Sequence, residues 1–220
     1  AARCGFSADL SGAVTDRALF HCDNAYYWPA ARALSAPLYT NTVSNTAFRG
    51  FGGPQGMVGA ERVIDEVAFA VGKDPLEIRK LNFYAPAGEE AGRNVTPYHQ
   101  TDEDNVIQRI VAEQEEGCDN RGRRRQIAAF NTNSRWVKRG LALTPVKFGI
   151  SFTATQFNQA GALVHVYTDG SVHLNHGSTE MGQGLNVKVA QVVAEEFQID
   201  IDRVKITATT TAKVPNTSAT

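Results

Sequence analysis

A glycine-rich run, Phe48-Arg49-Gly50-Phe51-Gly52-Gly53-Pro54-Gln55, stands directly before the most regular helical pattern in the chain. Pro54 suits the first turn of a helix. Apolar side chains then recur three and four positions apart, which is the spacing of a helix with one buried face. They are Met57, Ala60, Val63, Ile64, Val67, Ala68 and Val71. Gly72 suits the C-terminal end of this helix, so the run predicts a loop that leads into an amphipathic helix.

Two interpretations of this run remain open. Glycines let the backbone approach a ligand closely, and the helix N-terminus that follows offers N–H groups to an anion such as phosphate. Two phenylalanines beside Arg49 would add flat surfaces for a planar ring. Alternatively, the run is a turn whose phenylalanines belong to the core. The same choice applies to Thr179-Glu180-Met181-Gly182-Gln183-Gly184, which also precedes a helical pattern. Neither run has the Walker or GxGxxG pattern, so ordinary nucleotide-binding folds are disfavoured.

Helical patterns dominate the chain before residue 138. Asp74-Pro75 combines an N-cap with a first-turn proline and opens a short helix with apolar positions at Leu76, Ile78 and Leu81. Other segments are predicted by periodicity and turn residues. They are helices over 104–116 and 121–133, a loop over 85–101, and short strands over 18–22 and 37–41.

Strand patterns replace helices after residue 138. Two β-preferring runs, 160–167 and 171–176, flank an Asp169-Gly170 turn, which is a strong hairpin signal. The apolar run 140–152, a helix over 183–197 and a strand over 204–208 complete the pattern. The sequence therefore predicts an α+β fold with two domains, residues 1–138 and 139–220.

Composition excludes several classes of protein. The 220 residues are 42% hydrophobic and 20% charged, which is typical of a globular protein that buries a core. A net charge of −1 disfavours binding to nucleic acid or to an anionic membrane surface. Three cysteines, widely spaced and without a CxxC pair, indicate reduced thiols in the cytoplasm and disfavour an iron–sulfur or zinc site in this chain.

Other polar residues give weaker signals. His173 and His176 differ in parity along one predicted strand and should point to opposite faces, which disfavours a shared metal with His165. The basic cluster 121–125 follows acidic residues and is interpreted as a solvated helix surface. Phe152 and Thr153 could stack on a ring and donate a hydrogen bond, or could belong to a core strand.

Five segments together resemble the molybdenum-binding region of xanthine dehydrogenases and oxidases. They match in order over nearly the whole chain, with the loop at 85–103 the least similar part. The segments are 44–55, 147–153, 161–172, 179–184 and 214–218. The resemblance implies the C-terminal part of one molybdopterin-binding domain in residues 1–138 and the N-terminal part of a second in residues 139–220.

The resemblance also implies an activity. This family hydroxylates an electron-poor ring carbon with oxygen from water, and a hydride passes to a molybdenum sulfido ligand. A purine hydroxylase of this kind oxidises xanthine and hypoxanthine to uric acid. The implied cofactor is molybdopterin, with 2Fe-2S clusters and FAD in other domains or subunits. The implied partners are the purine substrate, the rest of the molybdenum subunit, those redox domains, and a second copy in a dimer of the complete enzyme.

Matching positions carry the family's roles over to individual residues. Ala47, Phe48 and Arg49 would approach the molybdenum ligands and the pterin through main-chain groups. Gly182 and Gln183 would contact the pterin.

Four further positions match the family's substrate site. Phe51 and Phe152 would sandwich the heterocycle, and Thr153 would bind an exocyclic group. Arg17 matches an arginine that binds a purine carbonyl oxygen and stabilises negative charge developing on the ring. Because related aldehyde oxidases typically lack this arginine, Arg17 favours a purine substrate over an aldehyde.

Some family segments have no match in these 220 residues. The general-base glutamate in a Gly-Glu-Pro-Pro context, a second substrate glutamate in a Gly-Gly-Phe-Gly-Gly-Lys-Glu segment, and an alanine pair beside the metal are all expected outside them. We therefore expect an internal piece of a larger subunit, inactive by itself. The alternatives are an aldehyde oxidase or another hydroxylase of N-heterocycles, and a structural piece that binds no cofactor alone.

Overall fold

The computed structural model describes residues 10–149 and 159–214 of the chain. The chain divides into two compact units, Ala1–Phe148 and Gly149–Thr220. The first contains only helices as regular elements among its described residues, and the second combines one helix with a three-stranded sheet. This mixture confirms the predicted α+β class. The helices of the first unit are α1 (Ser11–Leu19), α2 (Gly53–Val71), α3 (Pro75–Asn82), α4 (Ile107–Gly117) and α5 (Asn120–Asn133).

Helix α1 replaces a predicted strand. The expectation of a strand over 18–22 is wrong, because α1 continues to Leu19 and turns follow it. The expected strand over 37–41 is also absent, since the backbone there makes no strand pairing in the described structure. A helix of nine residues is marginal by itself and depends on packing, which local sequence preference does not record.

Helix α2 confirms the main periodic prediction. Its buried face consists of Gly53, Gly56, Met57, Ala60, Ile64 and Ala68. Val63, Val67 and Val71 were expected on this face, and that part is wrong, since they are 48%, 41% and 55% exposed. Val63 and Val67 each lie one position before a buried residue, Ile64 and Ala68, and Val71 follows four positions later on the same flank of α2.

Helix α3 begins as predicted at a side-chain cap. Asp74 Oδ1 accepts hydrogen bonds from the backbone N–H groups of Leu76, at 2.8 Å, and Glu77, at 3.4 Å. Leu76 and Ile78 are buried, but Leu81 is 63% exposed, contrary to expectation. The predicted helices α4 and α5 are confirmed, with no end shifted by more than three residues.

A hydrogen-bonded carboxylate, Glu61, lies beside the apolar core of the first unit. The buried apolar side chains of this core are Tyr26, Ala60, Ile64, Ala68, Leu76, Ile78, Phe83 and Val111. Glu61 Oε1 accepts from Tyr26 Oη at 2.5 Å and from Asn24 Nδ2 at 2.8 Å, and Glu61 Oε2 accepts from Arg79 Nε at 2.8 Å. A buried charge is tolerated when it is paired and hydrogen-bonded, so this network ties α2 to α3 and to the chain before α2.

The second unit is a hairpin followed by a crossover helix. Strand β1 (Ala162–Val166) pairs antiparallel with β2 (Val172–His176), which confirms the predicted hairpin. Helix α6 (Leu185–Phe197) then leads to β3 (Val204–Ile206), which lies parallel to β2. The core is formed by Leu174, Ala190, Ala194 and Val204.

Residues 139–148 belong to the first unit and contact its core. Leu143 contacts its apolar core, and Asn24 Nδ2 donates to the Pro145 carbonyl at 3.0 Å. Residues 140–149 form no strand, contrary to the apolar-run prediction for this part. The boundary after residue 138 concerns the family's domains and stays a prediction.

Candidate functional site

The loop before α2 lies along α1. Ser11 Oγ donates to the Asn45 carbonyl at 2.5 Å. A Cβ atom at Gly52 would overlap the Val14 carbonyl, and one at Gly56 would overlap the Ala18 carbonyl. Gly52 also has φ of +102°, a conformation that glycine adopts without strain. These glycines are therefore required by the close contact between α1 and α2, which supports the interpretation of the run as a structural turn. Its phenylalanines are not core residues, however, since Phe48 is 83% exposed and Phe51 is half-buried.

Arg17 is presented by α1 at the same place. Its guanidinium carbon lies 5.1 Å from the centroid of the Phe148 ring, within the range of a cation–π contact. The side chain is half-buried, and burial lowers the pKa of Arg17, while the nearby Tyr98 opposes this effect. An arginine keeps its proton in proteins, so Arg17 supplies a fixed positive charge and planar donors.

Phe148 lies against α1 and the start of α2. His21 Nδ1–H donates to the Arg17 carbonyl at 2.9 Å, and the His21 ring lies 4.9 Å from the Phe148 ring. A Cβ atom at Gly53 would overlap the Phe148 ring. Sequence reasoning missed both Phe148 and His21. Phe148 belongs to a segment that carries the family resemblance. Nothing local in the sequence indicates its contacts with Arg17 and His21, which lie 131 and 127 positions earlier.

The segment expected to approach the cofactor is exposed to solvent. Ala47, Phe48 and Arg49 are all exposed, and Phe48 is 83% exposed. Phe51 N–H donates to the Phe48 carbonyl at 2.8 Å, which closes a turn. Phe51 itself is half-buried with φ of +55°, a left-handed conformation that is uncommon for a bulky residue. Arg17 is thus part of α1, and the 45–52 segment contacts the same helix.

The second glycine-rich run is organised by a carboxylate. Glu180 Oε1 accepts from the N–H groups of Gly182, at 2.8 Å, and Gly184, at 3.2 Å, while Oε2 accepts from Asn186 N–H at 3.2 Å. These hydrogen bonds, of which that from Asn186 contributes most, hold the pKa of Glu180 below its ordinary value. Gln183 Oε1 accepts from Met181 N–H at 2.6 Å, and its Nε2 donates to the Thr179 carbonyl at 3.0 Å.

The two loops differ as candidates for holding a pterin. Residues 47–49 are exposed, and main-chain N–H and carbonyl groups are the donor and acceptor types that a polar ring edge requires, although the Phe48 carbonyl already accepts from Phe51 N–H. In the second loop, the Gly182 N–H and the Gln183 amide are already in hydrogen bonds within the loop. Contact of Gly182 or Gln183 with a pterin through these groups requires those bonds to exchange.

Remaining candidates form no compact cluster. The rings of His165 and His173 stack at 6.2 Å between centroids, and His176 Nε2 lies 3.0 Å from Asn186 Oδ1. Within residues 10–149 and 159–214, no three His, Cys, Asp or Glu side chains are grouped to hold a metal ion. Cys22 and Cys118 are free thiols. Phe152 and Thr153, both expected at the substrate, lie outside the described residues, as does Cys4.

Membrane insertion has no candidate among the described helices. None of those helices combines the length and the apolar character that a membrane crossing requires.

Family models define the class of the chain. A model of a molybdopterin cofactor-binding domain matches residues 1–83, and a second such model matches residues 113–220. Solved structures agree at the level of the fold. An aldehyde oxidoreductase from Desulfovibrio desulfuricans superposes with a TM-score of 0.72 at 22% identity, over 94% of this chain and 22% of that one.

Curated relatives narrow the assignment. Xanthine dehydrogenase 1 of Arabidopsis thaliana is 48% identical over 98% of this chain, and xanthine dehydrogenase/oxidase of Gallus gallus is 47% identical over the same share. The chain spans 15% and 16% of the length of these two relatives. The chain belongs to the xanthine dehydrogenase family, in its molybdopterin cofactor-binding region, which confirms the resemblance.

Proposed function

We propose that this chain is part of the molybdenum-cofactor subunit of a purine hydroxylase that converts xanthine and hypoxanthine to uric acid. The observation that carries the proposal is an identity of 48% to a xanthine dehydrogenase across 98% of the chain. The position of Arg17 supports the purine assignment, because a half-buried guanidinium beside an aromatic ring can bind a substrate carbonyl.

Arg17 acts on the substrate in this proposal. Its planar donors hold a purine carbonyl oxygen, and its positive charge stabilises the negative charge that develops on the ring during attack. Burial strengthens this effect, since charges interact more strongly where water is excluded. Phe51, Phe152 and Thr153 would complete the proposed substrate site. The two phenylalanines would sandwich the heterocycle, one face-on and one edge-on, and Thr153 would donate a hydrogen bond.

Two loops hold the cofactor in this proposal. The main chain of Ala47, Phe48 and Arg49 would approach the pterin and the molybdenum ligands, and Gly182 and Gln183 would contact the pterin. When bound, the molybdenum cofactor supplies the redox chemistry of hydroxylation. The chain's own residues supply binding, orientation and electrostatics.

The proposed context is a larger enzyme. The rest of the molybdenum subunit, with 2Fe-2S and FAD domains that carry electrons away, would be its partners, and the complete enzyme would be a dimer. Its free thiols are consistent with a cytoplasmic enzyme. No role with nucleic acid or a membrane is proposed.

The proposal is tested on the complete enzyme purified with its cofactors. Molybdenum is measured by mass spectrometry, pterin by fluorescence after oxidation, and uric acid formation by absorbance. We expect bound molybdenum and pterin, and turnover of xanthine above that of aldehydes. Turnover of aldehydes alone would point to an aldehyde oxidase, and absence of metal and pterin would point to a structural role; either result would overturn the proposal.

The cofactor contacts have a separate test. Gln183→Ala should reduce the molybdenum and pterin content, because an amide that contacts the pterin is lost. Gln191→Ala is the matched control, since Gln191 is exposed on α6. Unchanged cofactor content in both variants would reject the role of Gln183.

A further inference from the structure

Residues 145–147 are fastened to the chain that follows α1. Asn24 Nδ2 donates to the Pro145 carbonyl at 3.0 Å, and Lys147 N–H donates to Asn24 Oδ1 at 3.1 Å. Lys147 Nζ donates to Asp23 Oδ2 at 2.5 Å. Asp23 and Asn24 are 2% and 1% exposed, so these contacts are shielded from water. We call Asp23, Asn24, Pro145 and Lys147, together with Tyr84 and Tyr98, the Lys147 clamp.

Two tyrosines complete the clamp. Tyr84 Oη donates to Asp23 Oδ2 at 2.7 Å, and Lys147 Nζ lies 3.2 Å from Tyr98 Oη. The ammonium also lies 4.6 Å from the Tyr84 ring centroid and 5.4 Å from that of Tyr98, which adds cation–π contacts. A buried carboxylate is retained when it is paired and hydrogen-bonded, so this arrangement fixes the position of residue 147.

Phe148 follows Lys147 directly in the chain, so the clamp also holds Phe148 in place against α1. Its ring contacts the Arg17 guanidinium, at 5.1 Å, and the His21 ring, at 4.9 Å. Gly53 leaves room for the ring where any Cβ atom would overlap it. The clamp, the ring and the guanidinium therefore form one continuous line of contacts.

We propose that Phe148, held by the Lys147 clamp, is a positioning residue that orients the Arg17 guanidinium toward the substrate carbonyl. This inference rests on the proposed function, in which Arg17 binds the purine. An arginine side chain has several rotatable bonds, and an aromatic face beside its planar head restricts it to few orientations. A catalytic group displaced by about 1 Å can lose roughly 100-fold in rate.

The test compares variants in the complete enzyme, with rates expressed per bound molybdenum. Phe148→Leu keeps an apolar side chain but removes the aromatic face. We expect kcat/KM for xanthine to fall about 10- to 100-fold, with a smaller fall for an aldehyde substrate. Phe148→Tyr keeps the aromatic face and should restore most of the xanthine activity. Phe69→Leu is the control, because Phe69 is 86% exposed on α2.

The outcomes separate this inference from the proposed function. If Arg17→Met lowers xanthine turnover selectively and Phe148→Leu does not, the positioning role is overturned while the purine assignment stands. If Arg17→Met is not selective, the purine assignment and the positioning role both fail. Should Phe148→Leu not accumulate as loaded enzyme, Phe148→Met provides the same comparison, since methionine fills the space without a ring.

Discussion

The two glycine-rich runs before α2 and α6 look alike in sequence but owe their glycines to different physical causes. In the first run, the α1 backbone occupies the space that a side chain at residue 52 would need. In the second, a Cβ atom at Gly184 would meet nothing within 4 Å, and only its φ of +73° requires glycine. The first run is thus a packing contact between helices, and the second is a bent loop organised by the Glu180 carboxylate.

This difference matters for function. A packing contact fixes α1, and therefore Arg17, relative to the exposed segment 47–49. A loop whose N–H groups donate hydrogen bonds to the Glu180 carboxylate can exchange those bonds for others with little cost in packing. We therefore expect the first run to be sensitive to added volume and the second to changes in backbone preference and charge.

The largest expected effect comes from adding a methyl group inside the first run. Gly52→Ala should lower the free energy of unfolding by about 3 kcal/mol or more, because overpacking against the Val14 carbonyl adds to left-handed strain. Urea denaturation measures this change. Gly59→Ala in α2 is the matched control, since its Cβ atom meets open space and helix preference should stabilise it by about 0.5–1 kcal/mol. Equal effects at residues 52 and 59 would break the comparison.

The second run should respond less strongly. Gly184→Ala adds no overlap, so only the left-handed backbone is penalised, at about 1–2 kcal/mol. Gly184→Asn should recover part of this loss, since asparagine tolerates that conformation better than alanine. A loss at residue 184 as large as that at residue 52 would contradict the assignment of strain alone.

Helix α3 begins at a side-chain cap instead of a glycine, so it serves as a comparison for the two glycine-rich helix starts. Asp74→Ala should cost about 1 kcal/mol, the usual value of an N-cap. Burial alone would raise the pKa of Asp74, but hydrogen bonds from Arg124 and from Leu76 N–H hold it below its ordinary value. This stabilisation is therefore present above the ordinary pKa of an aspartate and is lost as the pH falls through the folded-state pKa. A wild-type advantage over Asp74→Ala that persists in strong acid would reject the cap.

The smallest effect should appear at Glu180, and it should be local. The Glu180 carboxylate accepts hydrogen bonds from the N–H groups of Gly182, Gly184 and Asn186. Glu180→Ala should therefore speed the hydrogen exchange of these three amides. In the wild type the same protection should hold at neutral pH and weaken in acid as Glu180 gains a proton through its lowered pKa. Glu196→Ala, an exposed change on α6, should leave the exchange of these three amides unaltered.

Local patterns predicted the elements whose signals are local. The α2 period, the Asp74 cap and the Asp169-Gly170 hairpin each depend on residues close in sequence, and the structure contains all three. Helix α1 was missed because its stability comes from contact with Gly52 and Gly56, which lie more than 30 positions away. The exposed Val63 shows the other limit, since periodicity alone does not fix the edges of a buried face.

The candidate site divides in the same way. Arg17 looked like a surface residue in its local context and was identified only through family resemblance. Arg17 and Phe148, which are in contact, are 131 residues apart in the sequence. Asp23 and Lys147, which are hydrogen-bonded, are 124 residues apart. Such contacts are set by tertiary packing, so no local pattern could have predicted them.

The purine assignment of Arg17 is tested most directly by steady-state kinetics of Arg17→Met in the complete enzyme. Methionine keeps much of the side-chain length but removes the charge and the donors. Because a preorganised charge opposite a developing anion is worth about 100- to 1,000-fold in rate, we predict a loss of that size in kcat/KM for xanthine and a much smaller loss for an aldehyde. Equal losses on both substrates, with unchanged molybdenum content, would contradict the account.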